Sequence, residues 1–269
     1  MARSTSSSLV VIAEGLGNAI MAGPLVETLA ARGLVDVWWA FGAFRTHFKL
    51  FAKARRWLLE PPRERYDVAY FTPHARQVRV ACSVQRRSAA PSANASEVAA
   101  SLALAPEPRV WNVELEYTPS TEHFPYVLCN GGHPAWERKR WPRWRELAAR
   151  LEGAASVGLP HEHVAGTRNL TRLPLEAQLG AIANAGVFIS NDTGLFHAAC
   201  ALKVPTVVVF TATSLVKNVD ERFHAARVVT RGLPCQPCQG TARWHSCEKW
   251  ECRDVSVEDV LRAIHETKL

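Results

Sequence analysis

The sequence predicts an α/β protein built as two consecutive Rossmann-like halves that face a central cleft. Three observations carry that expectation. Short apolar, β-branched runs alternate with segments of helical period, the signature of a parallel sheet with helices on its faces. A stretch with four prolines and no helical period, residues 106–125, interrupts the alternation. The alternation then restarts. A chain of 269 residues, 48% hydrophobic and 21% charged, has the composition of an ordinary globular protein, which excludes disordered and fibrous classes. The length suits one large domain or two modest ones, and the break sets them at 1–120 and 121–269.

Each element follows from local pattern. Residues 9–13 are a β-branched run ending at Glu14-Gly15-Leu16-Gly17-Asn18, and residues 19–32 have helical spacing that stops at Gly33: strand, glycine turn, helix. Residues 35–41 form a second strand. Residues 45–59 read as a helix with Phe44, Phe48, Phe51 and Leu58 on one side, ended by Pro61-Pro62. Residues 66–71 form a third strand, followed by a basic helix to about Arg87. Residues 88–108 read as an amphipathic helix between loops. After the break come strands at 126–130, 154–159, 187–190, 206–210 and 228–230, and helices at 141–151, 175–185, 195–202 and 257–265. Ligands in such sheets lie at the carboxyl ends of the strands.

The chain has 32 Lys+Arg against 25 Asp+Glu, a net charge of +7. Residues 45–87 hold eleven basic residues and three acids, 11 − 3 = +8, so the remainder is about neutral. This concentration reads either as a solvated face or as a surface for an anionic partner. No apolar run approaches the roughly 18 residues of a membrane span. The apolar core of the opening, residues 9–13, is too short for a secretory signal, so a cytoplasmic location is expected. An odd count of seven Cys argues against a disulfide framework.

The segment VFISNDTGLFHAACALKVPTVVVF, residues 187–210, is the most informative. A buried strand ends at Ser190, polar Asn191-Asp192-Thr193 make the turn, and Gly194 opens a helix. Free N–H groups at that helix start favour an anion, phosphate above all. The structural alternative is an N-cap by Asp192 or Thr193 with His197 on the surface. NDTGLFHAA before an apolar strand resembles the nucleotide-binding signature of glycosyltransferase family 9, the ADP-heptose:lipopolysaccharide heptosyltransferases. GLGNAIMAGPLVETLAARG resembles the opening glycine turn and helix of that family. GGHPAWERKRWPRWRELAARL resembles its Lys-x-Trp-Pro segment, and LPHEHV its following acidic loop. The similarity runs from about Leu9 to the final helix and is patchy between 35 and 120, where the first half is short for the family.

The resemblance implies a GT-B fold, with the acceptor bound by the first domain and a nucleotide-sugar donor, ADP-heptose-like, by the second. It also implies inverting transfer with no cofactor or obligatory metal. The sequence has no Asp-x-Asp metal clamp, so the leaving diphosphate needs helix amides and cations such as Arg138-Lys139-Arg140. Residue by residue, the match implies that Lys139 contacts the donor phosphates. It implies that Asp192, Thr193, Gly194 and His197 line the phosphate and sugar end, and that Glu162 meets the ribose. Trp136, Trp141 and Trp144 read as packing between helices.

The first turn departs from the family. Where the family pattern Gly-x-Gly-Asp offers an Asp as general base, this sequence has Asn18, which cannot take a proton at neutral pH. Glu14 is the nearest carboxylate, with His47 and His74 as further candidates and Asn18 as an orienting group. Gly17, Arg45, Arg55 and Arg56 are the acceptor-side candidates. That acceptor is lipopolysaccharide core, or alternatively a hydroxylated base in DNA met by Arg55, Arg56, Arg86 and Arg87. A non-catalytic nucleotide-sugar or glycan binder is the reading from another class. Cys235, Cys238, Cys247 and Cys252 suit a closed tetrahedral zinc site, with reduced thiols or a redox pair as the alternatives. Cys82, Cys129 and Cys200 read as core.

Overall fold

The structure is a computed structural model that describes residues 6–42, 45–80, 84–90, 95–132 and 134–267. The chain divides into two compact units, residues 1–116 and 117–269.

In the first unit, strands β1 (Ser7–Ala13) and β2 (Leu34–Phe41) are joined by helices α1 (Leu16–Met21) and α2 (Gly23–Ala30). Strands β3 (Arg56–Leu58), β4 (Val68–Phe71) and β5 (Gln85–Ser88) follow, then helix α3 (Glu97–Leu102). Among the described residues the sheet has five parallel strands in the order β3-β2-β1-β4-β5. The order reverses direction beside β1, so the loops that leave β1 and β4 diverge and open a crevice at their carboxyl ends. Glu14 stands there with φ +72°, and its carbonyl accepts from the Trp39 indole N–H at 3.0 Å. Gly42 is required opposite: its φ is +141°, and a Cβ there would lie 2.0 Å from the Glu14 carbonyl oxygen.

In the second unit, β6 (Phe124–Cys129) is followed by α4 (Trp144–Ala148), β7 (Ala155–Ser156), β8 (Arg168–Asn169) and α5 (Leu175–Ala183). Then come β9 (Ala185–Asn191), α6 (Gly194–Ala201), β10 (Thr206–Phe210), α7 (Leu215–Asn218), β11 (Ala226–Thr230), α8 (Arg243–Ser246) and α9 (Val257–Thr267). The six parallel strands described run β11-β10-β9-β6-β7-β8, and the order reverses between β6 and β9. Apolar layers cover both faces, as a parallel sheet requires. Leu128, Ile189, Val207 and Val209 pack with Trp141, Trp144, Val260 and Ile264 on one side. Phe196, Cys200, Val208 and Phe210 pack on the other. No described helix is long and apolar enough to cross a membrane.

Two predicted helices are absent among the described residues, for tertiary reasons. In place of the helix over 45–59, residues 50–52 run antiparallel to 114–116, with Ala52 N donating to Glu114 O and Glu116 N to Leu50 O, both 2.9 Å. Trp57 then packs edge-on against Trp39 and Phe51, each at 5.7 Å, which fixes β3. Phe44, assigned to that helix face, lies outside the described residues. The basic helix ending near Arg87 is a 3₁₀ turn at Pro73–Ala75 followed by edge strand β5. Its cations lie on aromatic faces, with Arg86 3.4 Å above the Phe71 ring and Arg87 5.9 Å from Tyr70. Cys129 and Cys200 are buried as expected; Cys82 lies outside the described residues.

Much of the charge in residues 45–87 is consumed inside the fold. Asp36, fully buried near the amino end of β2, accepts from Arg55 Nε at 2.8 Å, Arg56 Nε at 3.0 Å and Tyr66 Oη at 2.8 Å. Arg55 and Arg56 are therefore anchored near the amino ends of β2 and β3, opposite the edge where ligands bind. The structure thus pairs both of these acceptor candidates with Asp36. Burial alone would raise the Asp36 pKa, but the hydrogen bonds from Arg55, Arg56 and Tyr66 outweigh it and hold the carboxyl at about 2. A depressed carboxyl pKa stabilises the fold above the unfolded value, near 4, and that contribution is lost as pH falls towards 2. Asp36→Ala is expected to cost about 3–5 kcal/mol at pH 7 by urea unfolding of the full chain. The deficit relative to wild type should shrink as the pH is lowered through 4 to 2; a pH-independent deficit contradicts the assignment.

Candidate functional site

The site in the second unit begins at the reversal point, where Cys129 of β6 lies in register with Ser190 of β9. The apolar run of β9 gives way there to Asn191-Asp192-Thr193. Asn191, fully buried, donates from Nδ2 to Gly131 O at 3.1 Å and accepts at Oδ1 from Trp141 N at 3.0 Å. One side chain thereby holds the loop leaving β6 and the approach to α4. The 3₁₀ segment Pro134–Lys139 lies between these two points and is further tied by Thr211 Oγ1 donating to Arg138 O at 2.7 Å.

Thr193 is the N-cap of α6. Its Oγ1 accepts from Phe196 N at 3.2 Å and lies 3.0 Å from Ser190 Oγ. The N–H groups of Gly194 and Leu195 at the helix start have no partner among the described residues. They form a short positive mouth. Asp192, 4% exposed, accepts at Oδ2 from Asn218 Nδ2 at 2.9 Å, and its Oδ1 lies 3.8 Å from His197 Nε2. His197 is 3% exposed and not a surface residue; its Nδ1 meets His224 Nε2 at 2.8 Å. Burial lowers the His197 pKa to about 3, with repulsion from the nearby Lys139 ammonium as a second cause. Lys139 has no carboxylate partner among the described residues and lies 5.7 Å from the Trp136 ring.

Glu162 is 5% exposed, and its carboxylate is occupied by backbone. Oε1 accepts from Gly132 N at 2.9 Å and Oε2 from Leu159 N at 2.7 Å. Gly158, at φ +123°, must lack a side chain, because a Cβ would lie 2.5 Å from Glu162 Oε2. Glu162 therefore ties the loop after β7 to the loop after β6, and each oxygen keeps a second lone pair. A hollow of about 270 Å³ opens beside these loops, lined by Asn130, Arg140, Trp141, His163 and Arg253 among others. Trp141 and Trp144 are core, ring to ring at 5.3 Å, as the sequence predicts.

Sequence reasoning missed His224, Asn218 and Thr213. His224 and Asn218 lie in a loop and a four-residue helix that carry no motif of their own. Thr213 Oγ1, beyond the carboxyl end of β10, is buried without a hydrogen-bond partner among the described residues. On the first unit, Glu14 is exposed at the carboxyl end of β1, with Gly17 and Asn18 on the half-buried α1. Arg45 donates to the carbonyls of Trp39, Ala40 and Leu59 at 2.9–3.2 Å, so it ties the loops at that edge together. His47 is exposed, and His74 pairs with Glu97 at 2.8 Å.

The structure gives no support for a zinc site at Cys235, Cys238, Cys247 and Cys252. Among the described residues no group of three or more His, Cys, Asp or Glu is arranged to hold a metal ion. Other bonds staple this segment: Gln236 donates to Thr211 O, Trp250 Nε1 donates to Cys247 O at 2.8 Å, and Arg138 and Arg253 lie 4.8 and 4.9 Å from the Trp250 ring. Burial, then the neighbouring thiols, pushes Cys252 up to about 11, whereas backbone N–H groups of Trp250 and Lys249 hold Cys247 below the usual thiol range.

These two parallel-sheet α/β units define the GT-B class of glycosyltransferase folds. Residues 78–247 match the model of glycosyltransferase family 9 (heptosyltransferase), and the chain belongs to that family. Lipopolysaccharide heptosyltransferase 1 of Pseudomonas aeruginosa is 34% identical over 131 residues, 42% of this chain and 36% of that relative. The chain thus matches about a third of the length of that relative. The E. coli ADP-heptose lipopolysaccharide heptosyltransferase II has the same fold at 20% identity, with a TM-score of 0.65 over 98% of this chain and 100% of that one. The E. coli heptosyltransferase WaaC with ADP gives 0.60 at 16% identity, over 82% of this chain and 92% of that one.

Glu162→Gln keeps one acceptor oxygen but turns an amide N–H₂ against a backbone N–H. It is expected to destabilise the second unit by about 1–3 kcal/mol in denaturant unfolding. A variant as stable as the wild type would show that the two loops are not held through this carboxylate.

Proposed function

We propose that this chain is a glycosyltransferase that moves a sugar from a nucleoside diphosphate to a hydroxyl of an anionic acceptor. The donor is of the ADP-heptose type and the acceptor of the lipopolysaccharide-core type. Transfer inverts the anomeric carbon and uses no metal ion on the diphosphate. Residues 121–269 bind the donor and residues 1–120 the acceptor. A nucleotide-sugar donor fits a cytoplasmic enzyme. The observation that carries the reading is the mouth of α6, where the N–H groups of Gly194 and Leu195, without a partner among the described residues, and Lys139, without a carboxylate partner among them, form a positive site at the reversal point of a parallel sheet. The orphan Thr213 hydroxyl at the same edge supports a polar ligand. Family membership and the ADP of the E. coli relative favour a nucleoside diphosphate.

In the proposed reaction the acceptor oxygen attacks the anomeric carbon from the face opposite the diphosphate. The new C–O bond forms as the bond to the β-phosphate oxygen breaks, and the electron pair leaves with the nucleoside diphosphate. Lys139 and the α6 N–H groups stabilise the charge that develops there. Asp192, Thr193 and His197 line the sugar and phosphate end, and Glu162 meets the ribose through its remaining lone pairs. The acceptor proton passes to Glu14, a carboxylate exposed at the carboxyl end of β1, while Asn18 orients the hydroxyl.

ADP at 100 times its dissociation constant is expected to raise the stability of the chain by about 2.7 kcal/mol. Lys139→Ala should weaken ADP binding about 10- to 100-fold by calorimetry, the equivalent of one charge-assisted hydrogen bond. If no nucleoside diphosphate binds, the reading fails. Glu14→Gln should lower kcat at least about 100-fold with the donor KM unchanged, and full turnover by this variant would place the base elsewhere. DNA binding with a log–log salt slope of roughly −0.9 per phosphate would instead favour a nucleic-acid acceptor.

A further inference from the structure

The buried histidine pair behind the mouth of α6 has a direction that its hydrogen bonds fix. The backbone N–H of Asp220 donates to His224 Nδ1 at 2.9 Å. A backbone amide can only donate, so Nδ1 holds a lone pair and the His224 proton is on Nε2. That Nε2 lies 2.8 Å from His197 Nδ1, and both nitrogens cannot be protonated at that separation. His197 Nδ1 is therefore the acceptor, and the His197 proton is on Nε2, the atom 3.8 Å from Asp192 Oδ1. Both rings are neutral. Burial, with repulsion from Lys139 for His197 and from His197 for His224, brings both pKa values to about 3. His224 is held in place by stacking on Phe196, with centroids 5.2 Å apart and planes 17° apart, and by the Phe223 edge at 4.6 Å. Asn218 fixes the other oxygen of Asp192 at 2.9 Å.

We propose that His224 is a positioning residue of the donor site: it locks His197 in its Nε2–H tautomer, so that α6 turns an N–H, not a lone pair, towards Asp192 and the mouth. This rests on the reading of that mouth as the donor site. The lock matters because a neutral imidazole without a partner exchanges between tautomers. Phosphoryl and hydroxyl oxygens of a nucleotide sugar accept from an N–H, whereas a bare ring nitrogen repels a phosphoryl oxygen and leaves it unpaired. The chain Asp220 N–H, His224, His197 resembles in its logic the second partner that orients a metal-bound or catalytic imidazole, with a backbone amide as its anchor.

The test uses the full chain labelled with ¹⁵N-histidine and reads each ring by long-range ¹H–¹⁵N correlation. Wild type is expected to show His197 and His224 both neutral and both protonated on Nε2. His224→Phe keeps the aromatic stack but removes the N–H. It should abolish the single His197 tautomer and raise the KM for ADP-heptose about tenfold, leaving the acceptor KM unchanged. His224→Gln, whose amide N–H occupies a similar place, should restore the tautomer and keep that KM within about threefold of wild type. His197 protonated on Nδ1 in the wild type overturns the proposal. So does an unchanged spectrum and KM in a folded His224→Phe. A wild type with the expected spectrum that binds no ADP-heptose defeats the donor reading alone and leaves the tautomer lock standing.

Discussion

The second unit depends on one buried amide. Asn191 occupies the reversal point between β6 and β9, where the two central strands send their loops in opposite directions. Both loops must leave the sheet with backbone groups that helices and strands do not satisfy, and an unpaired buried group costs about 1–3 kcal/mol. Asn191 offers both an acceptor to Trp141 N and a donor to Gly131 O, so it fixes the distance between the strand exit and the start of α4. Lys139 lies two residues before Trp141, and Asp192, Thr193 and Gly194 follow Asn191 directly. The positive end of the site and its helix mouth are therefore referenced to the same side chain.

The first unit uses charge in the opposite sense. A cluster of cations in sequence suggests a surface, yet Arg55, Arg56 and Tyr66 all donate to buried Asp36, and Arg45 and Arg86 spend donors on main-chain carbonyls. A planar guanidinium with five donors serves such internal bracing well. Positive charge that remains effective for substrate is then a matter of which cations lack a partner. Lys139, outside the basic stretch, has no carboxylate partner among the described residues.

Around α6 the polar groups are ordered in a single direction, from Asp220 through His224 and His197 to Asp192, with Asn218 on the far carboxylate oxygen. Rings kept neutral by burial give hydrogen-bond directions that do not change across the physiological pH range. Phe196, Phe210 and Phe223 supply the apolar walls that enforce that constancy.

The two-unit α/β architecture, the β9-turn-α6 motif and the family were legible in the sequence, because alternating apolar runs and glycine turns are local signals. β10 has the bounds its pattern predicts, and α6 and α9 lie within a residue or two of theirs. The segment 45–59 was not legible. Its aromatic spacing fits a helix, but pairing of residues 50–52 with 114–116 and the Trp39–Trp57–Phe51 contacts are worth more than local propensity. Sequence determined which residues surround the mouth of α6, since those lie within one strand-turn-helix. Only the tertiary structure decided that His224, 27 residues beyond His197, stands behind it, that Arg55 and Arg56 serve Asp36, and that Glu162 is already bonded to backbone. Partners of a buried polar group come from whichever distant segment the fold brings within 3 Å, and no local pattern encodes that distance.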